Sequence, residues 1–304
     1  MSSLPRPPGS SGLALAAGLL LIACGHAHPQ GRLEYVKVES RSEGRELGYG
    51  IYTPPGWDRT TPLPLVVLLH GAGDDETSAD RTVVTDRLDK AITDGHVPAM
   101  VMVTPRGERG FWINWHDGSH HWQDWVLDEV VPQVRAKFPI IEGAAGMHLM
   151  GVSMGGGGGM QLWLDDPTRF SSATILSAPI LDEEGTWEFL RRFVPRRGME
   201  RAFGSPGAGS GTDPYVALSS PEGLGGGRLL FGAASRDLGR ILDSNVMFHE
   251  HLSTHAVPHR FVEFEGGHGW EAWSKVFPFA LCHQLQPTCV MQTPEAWSVE
   301  QLPQ

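Results

Sequence analysis

The chain holds 304 residues, 40% of them hydrophobic, enough for one large domain with a sizeable core. Its 24 Lys and Arg against 35 Asp and Glu leave a formal charge of −11. With no block of basic residues, this balance argues against a nucleic-acid surface, and no internal repeat or heptad pattern points to a solenoid or coiled coil.

The N-terminus reads as a targeting segment, residues 1–24. Arg6 supplies positive charge, and Gly12 to Ala23 form an apolar run that suits a signal-peptide core better than a bilayer span. The run ends in Leu21-Ile22-Ala23-Cys24, which resembles a bacterial lipobox. That resemblance implies cleavage before Cys24, lipidation of its thiol, and a membrane partner reached through the lipid anchor. An ordinary signal peptide with an incidental Cys is the other reading. Gly25 after Cys24 favours the outer membrane by the same resemblance. Residues 25–32 are expected to form a short linker.

Alternating apolar and polar residues at Leu33–Val38 and Leu47–Tyr52 predict two antiparallel strands, the second stopped by Pro54-Pro55-Gly56. The pattern then changes to continuous apolar runs. Leu65–Leu69, Met100–Val103, His148–Val152, Ala173–Leu176 and Arg228–Phe231 read as strands, mostly buried on both faces, with Arg260–Phe264 as the last. Helical stretches separate them, among them Trp122–Phe138, where Val126, Val130 and Val134 recur every four residues, and Ser244–Ala256. Alternating strands and helices predict an α/β domain over 33–289, a mostly parallel sheet with helices on both faces. Leu181–Leu218 reads as a small helical excursion without strands, and 290–304 as a loosely ordered tail. Cys282 and Cys289 are expected to form a disulfide pinning the C-terminus, since exported proteins meet an oxidising compartment.

Gly151-Val152-Ser153-Met154-Gly155 matches G-x-S-x-G, and it joins a buried strand to a helix as a nucleophile elbow requires. The turn is sharp enough that side chains two positions either side of the Ser would collide, and it aims the hydroxyl at a helix N-terminus. A serine needs a base, and the base an orienting acid, in the chain order Ser, Asp or Glu, His. Asp237 follows one predicted strand and His268, in Glu265-Gly266-Gly267-His268-Gly269-Trp270, follows the last, so both fall where open parallel sheets bind ligands. Asp243, the rival acid, falls inside the next helix. The backbone N–H groups of Met154 and Ala72, with Gly73 as the neighbouring alternative, are expected to form the oxyanion hole. No metal or other cofactor is implied: His251 and His255 lack a third ligand, and His116, His120 and His121 read as surface loop residues.

Together, Leu69-His70-Gly71, Gly151–Gly156, Asp237 with Asn245 and Phe248, and Gly266–Trp270 with Trp273 resemble the esterase D family of α/β-hydrolases, over about Leu33 to Leu285. This family includes feruloyl esterases, trilactone siderophore esterases, formylglutathione hydrolases and mycolyltransferases. The resemblance implies an α/β-hydrolase fold and Ser153, Asp237 and His268 as the triad of a serine carboxylic-ester hydrolase acting on a small-molecule or polysaccharide-linked ester. Acyl transfer to a sugar or other alcohol by the same triad, or a non-catalytic carbohydrate-binding lipoprotein, are the alternatives. Relatives usually carry an aromatic residue where this chain has Gly157, so Gly157 is expected to open space beside the nucleophile. Gly155, Gly156, Gly158 and Gly159 are expected to let the helix approach its neighbouring strands. The resemblance also places a substrate-lining loop at Arg109–His116, where Trp112 and Trp115 either stack on a substrate ring or pack under the loop.

Overall fold

A computed structural model describes residues 30–81, 84–205, 212–286, 288–294 and 298–301. Cys24 and the rest of the expected signal segment lie outside these residues. Among the described residues, nine strands form one sheet in the order β1-β2-β4-β3-β5-β6-β7-β8-β9. β1 (Arg32–Ser40) and β2 (Arg45–Thr53) are the antiparallel pair that the alternation predicts, and β2 continues antiparallel onto β4 (Val101–Pro105). From β4 the order runs in parallel through β3 (Leu65–Leu69), β5 (Met147–Val152), β6 (Ser172–Leu176), β7 (Arg228–Arg236) and β8 (Arg260–Gly267). Every residue of β3, β4, β5 and β6 is buried, as continuous apolar runs require when helices cover both faces.

The alternation of the strands divides the core in two. Leu65, Val67 and Leu69 face helices α2 (122–137), α3 (Met154–Asp165) and α6 (Ile241–Thr254). Val66 and Leu68 face α1 (Val84–Thr93) and α7 (Trp270–Leu285). The excursion supplies α4 (Glu183–Leu190) and α5 (Arg196–Phe203) and no strand among its described residues. Phe189 of α4 packs with Ala233 of β7 and Ile241 of α6, which seats the excursion beside the end of β7. Cys282 in the last turn of α7 is bridged to Cys289.

Two elements add detail to the expectations. The helical stretch expected over Trp122–Phe138 is present and contains a π-helical turn, Trp125–Val130, where the Val131 N–H reaches back five residues to the Val126 carbonyl. Pro132 follows and has no N–H to offer the next ordinary rung, so the ladder cannot run through it unbroken. The tail expected to be loosely ordered adds an edge strand, β9 (Ser298–Gln301), antiparallel to β8. Backbone pairing with a free sheet edge depends little on side chains, which is why a polar tail gives no apolar signal for it.

α3 is governed by close approach. A Cβ on Gly155 would lie 2.0 Å from the Leu69 carbonyl oxygen, one on Gly156 2.7 Å from the Ala178 Cβ, and one on Gly158 2.4 Å from the Trp112 Cβ. These three positions have no room for a side chain. Gly159 does not share the constraint, since its Cβ would make an ordinary 3.4 Å contact with Ile175. Helix propensity then favours Ala at 159 by about 1 kcal/mol. Gly159→Ala is expected to raise the midpoint of thermal unfolding. Gly158→Ala, which forces the 110–112 backbone off the helix, is expected to cost about 1–3 kcal/mol in the same measurement.

Candidate active site

The C-terminal ends of β3, β5, β6, β7 and β8 converge on Ser153. Ser153 sits between β5 and α3 at φ 56°, ψ −121°, a conformation that L-residues seldom adopt. Two devices hold it there. Its N–H donates to the Leu176 carbonyl at 2.9 Å, and the turn closes so tightly that a Cβ on Gly151 would lie 2.0 Å from the Gly155 carbonyl oxygen. The hydroxyl emerges at the N-terminus of α3, where the first backbone N–H groups, Met154 included, have no partner within the helix.

Ser153 Oγ lies 2.8 Å from His268 Nε2, and His268 Nδ1 lies 2.6 Å from Asp237 Oδ1. His268 is partly open to solvent, whereas the Asp237 side chain is 0% exposed. Burial alone pushes the Asp237 carboxyl upward. The His268 ring, the Ser177 hydroxyl (Oγ to Oδ2, 2.5 Å) and the Ala234 N–H (3.0 Å) outweigh it and hold the group below its ordinary value. A carboxylate so held stays charged near neutrality and orients the ring with Nε2 toward Ser153. Asp243 is exposed on α6 and takes no part.

Ser177 is the residue that sequence reasoning missed. It closes β6 at φ 51°, accepts the Trp273 indole N–H at 2.9 Å and donates to Asp237. Its only sequence signal is its place, a hydroxyl just past a buried parallel strand. His70, named above only within the Leu69-His70-Gly71 motif, has a role that the motif does not assign. Its ring, 0% exposed, accepts the Gly107 N–H at Nε2 (3.1 Å) and donates from Nδ1 to the Gly71 carbonyl (2.8 Å). Burial lowers its pKa, so it stays neutral and joins the loop after β3 to the loop after β4.

Gly71 brings the expected oxyanion loop to the nucleophile, since a Cβ there would stand 3.3 Å from the Ser153 Cβ. Ala72 follows it in an exposed turn closed by the Asp74 N–H on the Gly71 carbonyl at 3.2 Å. Gly157 faces open space, with nothing within 4 Å of an added Cβ. The two tryptophans separate. Trp112 is 0% exposed, donates its indole N–H to the His70 carbonyl at 3.2 Å and presses against Gly107 and Gly158. It therefore offers no face to a substrate, and of its two expected readings packing under the loop is the one its burial favours. Trp115 is partly exposed, with the Arg201 guanidinium 5.1 Å over its ring and the His120 ring edge-on at 4.5 Å. Phe111 and Trp112 both hold positive φ, at 59° and 65°, so strain gathers in this loop as well as at Ser153.

His120, His121 and His148 lie in other contacts. His120 Nδ1 and the His121 N–H both meet Glu43 at 2.7 Å. His148 Nδ1 and Ser172 Oγ, 2.7 Å apart, form a second Ser–His pair, buried at the opposite, N-terminal ends of β5 and β6. Burial and then the Arg228 charge push that imidazole down to about 4, and its charged neighbour is a cation instead of an orienting carboxylate. No group of three potential ligands suited to a metal occurs among the described residues.

The family profile described as "Putative esterase" matches residues 40–283. The chain belongs to this esterase family. An acetyl esterase of Caldicellulosiruptor saccharolyticus is 22% identical over 177 residues, which span 56% of this chain and 66% of that enzyme. Among solved structures, a ferulic acid esterase superposes with a TM-score of 0.70 at 19% identity, covering 84% of this chain and 98% of the other. FphF, a fluorophosphonate-binding serine hydrolase of Staphylococcus aureus, gives 0.71 at 22% identity, with 84% and 99% covered. The S-formylglutathione hydrolase FrmB of the same organism gives 0.69 at 22%, with 84% and 100% covered. The fold is that of the α/β-hydrolases, and the enzyme class is serine carboxylic-ester hydrolase.

Ser177→Ala removes one of the groups that hold Asp237 charged. Hydrogen bonds to charged groups contribute about 1.5–3 kcal/mol, and about 1.4 kcal/mol is tenfold in rate. In steady-state assays of a small aryl ester, the variant is expected to lose about tenfold or more in kcat with KM little changed.

Proposed function

We propose that this enzyme hydrolyses its ester through an acyl-enzyme on Ser153, with His268 as general base and then general acid, and Asp237 as the orienting carboxylate. The observation that carries the reading is the unbroken pair of hydrogen bonds from Ser153 Oγ through His268 to Asp237, at 2.8 and 2.6 Å. His268 Nε2 takes the Ser153 proton as Oγ attacks the ester carbonyl. The resulting oxyanion is stabilised by the N–H groups of Met154 and Ala72. His268 returns the proton to the departing alcohol. Water, deprotonated by the same nitrogen, then attacks the acyl group and releases the acid and Ser153.

Gly157 lies one turn along α3 from Ser153 on the same face, and the space in front of it is read as room for the acyl group. The partner is a small-molecule or polysaccharide-linked ester. The similarity to a ferulic acid esterase and an acetyl esterase favours esters of that kind. Product analysis with added alcohols separates hydrolysis from acyl transfer.

The enzyme is read as exported and held at a bacterial membrane by lipid on Cys24. The support is the lipobox-like run ending at Cys24 and the Cys282–Cys289 bridge, which suits an oxidising compartment. No helix among the described residues is long and apolar enough to cross a membrane.

Ser153→Ala is expected to lose about 10⁴-fold or more in turnover and Asp237→Asn about 10²- to 10⁴-fold, both with unchanged circular dichroism. Near-normal rates in either variant exclude this mechanism. For the anchor, the wild-type protein is expected in the detergent phase on phase partitioning and Cys24→Ser in the aqueous phase. A mature protein that begins elsewhere than residue 24 argues against lipidation.

A further inference from the structure

The loops carrying the expected oxyanion donor and His268 arise from opposite sides of β5, the strand that carries Ser153. A hydrogen bond joins them directly. The Trp270 indole N–H donates to Asp74 Oδ2 at 2.8 Å, across 196 residues of sequence. Asp74 ends the turn that holds Ala72, through its own N–H on the Gly71 carbonyl at 3.2 Å. Its Oδ2 stands 3.8 Å from the point a Gly71 Cβ would occupy, and that point is 3.3 Å from the Ser153 Cβ. Trp270 is the first residue of α7, two places after His268.

From Trp270 the contacts continue around the site. Its ring meets Trp273 at 5.4 Å, and Trp273 stands edge-on to His268 at 5.1 Å. Trp273 donates to Ser177, and Ser177 donates to Asp237. Asp237, His268 and Ser153 follow, and Gly71 against Ser153 returns the path to the Asp74 turn. The Asp74–Trp270 bond is the link that closes this circuit.

We propose that Asp74 is a positioning residue of the ester hydrolysis, fastening the Ala72 turn to the helix start that carries His268. The proposal rests on the triad and oxyanion assignment above. Its physical basis is distance. An oxyanion donor acts only within about 2.7–3.1 Å of the developing charge. Ala72 and Gly73 are exposed, and Gly73 holds φ 91°, so the turn has little side-chain packing to fix it. A displacement of about 1 Å at such a group costs about a hundredfold in rate.

The test is steady-state kinetics on a small aryl ester with the full chain, comparing wild type with Asp74→Ala, Asp74→Asn, Trp270→Phe and the Asp74→Ala/Trp270→Phe double variant, each with its thermal midpoint. Asp74→Ala and Trp270→Phe are each expected to lower kcat by about 10- to 100-fold, with KM within about twofold. The double variant is expected to be no slower than the worse single one, because both changes break one bond. Asp74→Asn keeps an oxygen acceptor and is expected to recover most of the loss. Three results overturn the tether: Asp74→Ala at wild-type kcat, whether or not its thermal midpoint shifts, losses that multiply in the double variant, or Asp74→Asn as slow as Asp74→Ala. Ser153→Ala separates the two levels. If it is active, the functional reading fails and the tether with it. If it is inactive while Asp74→Ala runs at full rate, the tether alone is wrong.

Discussion

The site depends on holding Ser153 in a backbone conformation that an L-residue does not choose. At φ 56° and ψ −121° its hydroxyl stands clear of the sheet, and the strain must be offset by what surrounds it. The surroundings are backbone packed on backbone. Gly151 and Gly155 have no Cβ because carbonyl oxygens lie 2.0 Å from where each would be. A side chain at either place would push α3 away from β3 and β5, and the elbow would open. Gly155, which weakens α3 as a helix, is therefore part of what lets Ser153 hold this conformation.

The consequences spread outward in layers. α3 lies close enough to the loop after β4 for the Trp112 Cβ and Phe111 carbonyl to rest against Gly158. That contact buries Trp112, whose indole holds the His70 carbonyl, and His70 in turn binds Gly71 and Gly107. On the opposite side, Ser177 and the Ala234 N–H hold the Asp237 carboxylate, and Trp273 holds Ser177. Loops after β3, β4, β6, β7 and β8 thus lean on each other around one hydroxyl.

Electrostatics follow from the same arrangement. The Asp237 side chain is buried, and the His268 ring, the Ser177 hydroxyl and the Ala234 N–H hold its carboxyl below the ordinary value, with the Leu238 N–H a fourth donor at 2.7 Å. His70 and His148 are buried, and desolvation lowers the pKa of both imidazoles, against the nearby Asp74, Asp75 and Glu76 charges at His70 and together with the Arg228 charge at His148. The only histidine bonded to both a serine and a carboxylate among the described residues is His268, at the open end of the sheet.

Much of this was legible in the chain itself. Continuous apolar runs marked the parallel strands because burial on both faces favours apolar residues at nearly every position. G-x-S-x-G between such a run and a helix marked the elbow, and the order of Ser153, Asp237 and His268 marked the partners, because each requirement is local. What the sequence could not decide was which residues lean on which. Trp112 and Trp115 lie three apart in one loop, yet one is sealed beneath it and the other meets Arg201, from a helix some eighty residues away. The need for Gly158 but not Gly159, the support of Asp237 by Ser177, the pairing of a polar tail with β8 and the Asp74–Trp270 bond likewise join segments far apart in sequence. Local pattern fixed the strands and the chemistry-bearing residues, and tertiary packing alone fixed their supports, because a contact between distant segments leaves no periodic trace in either one.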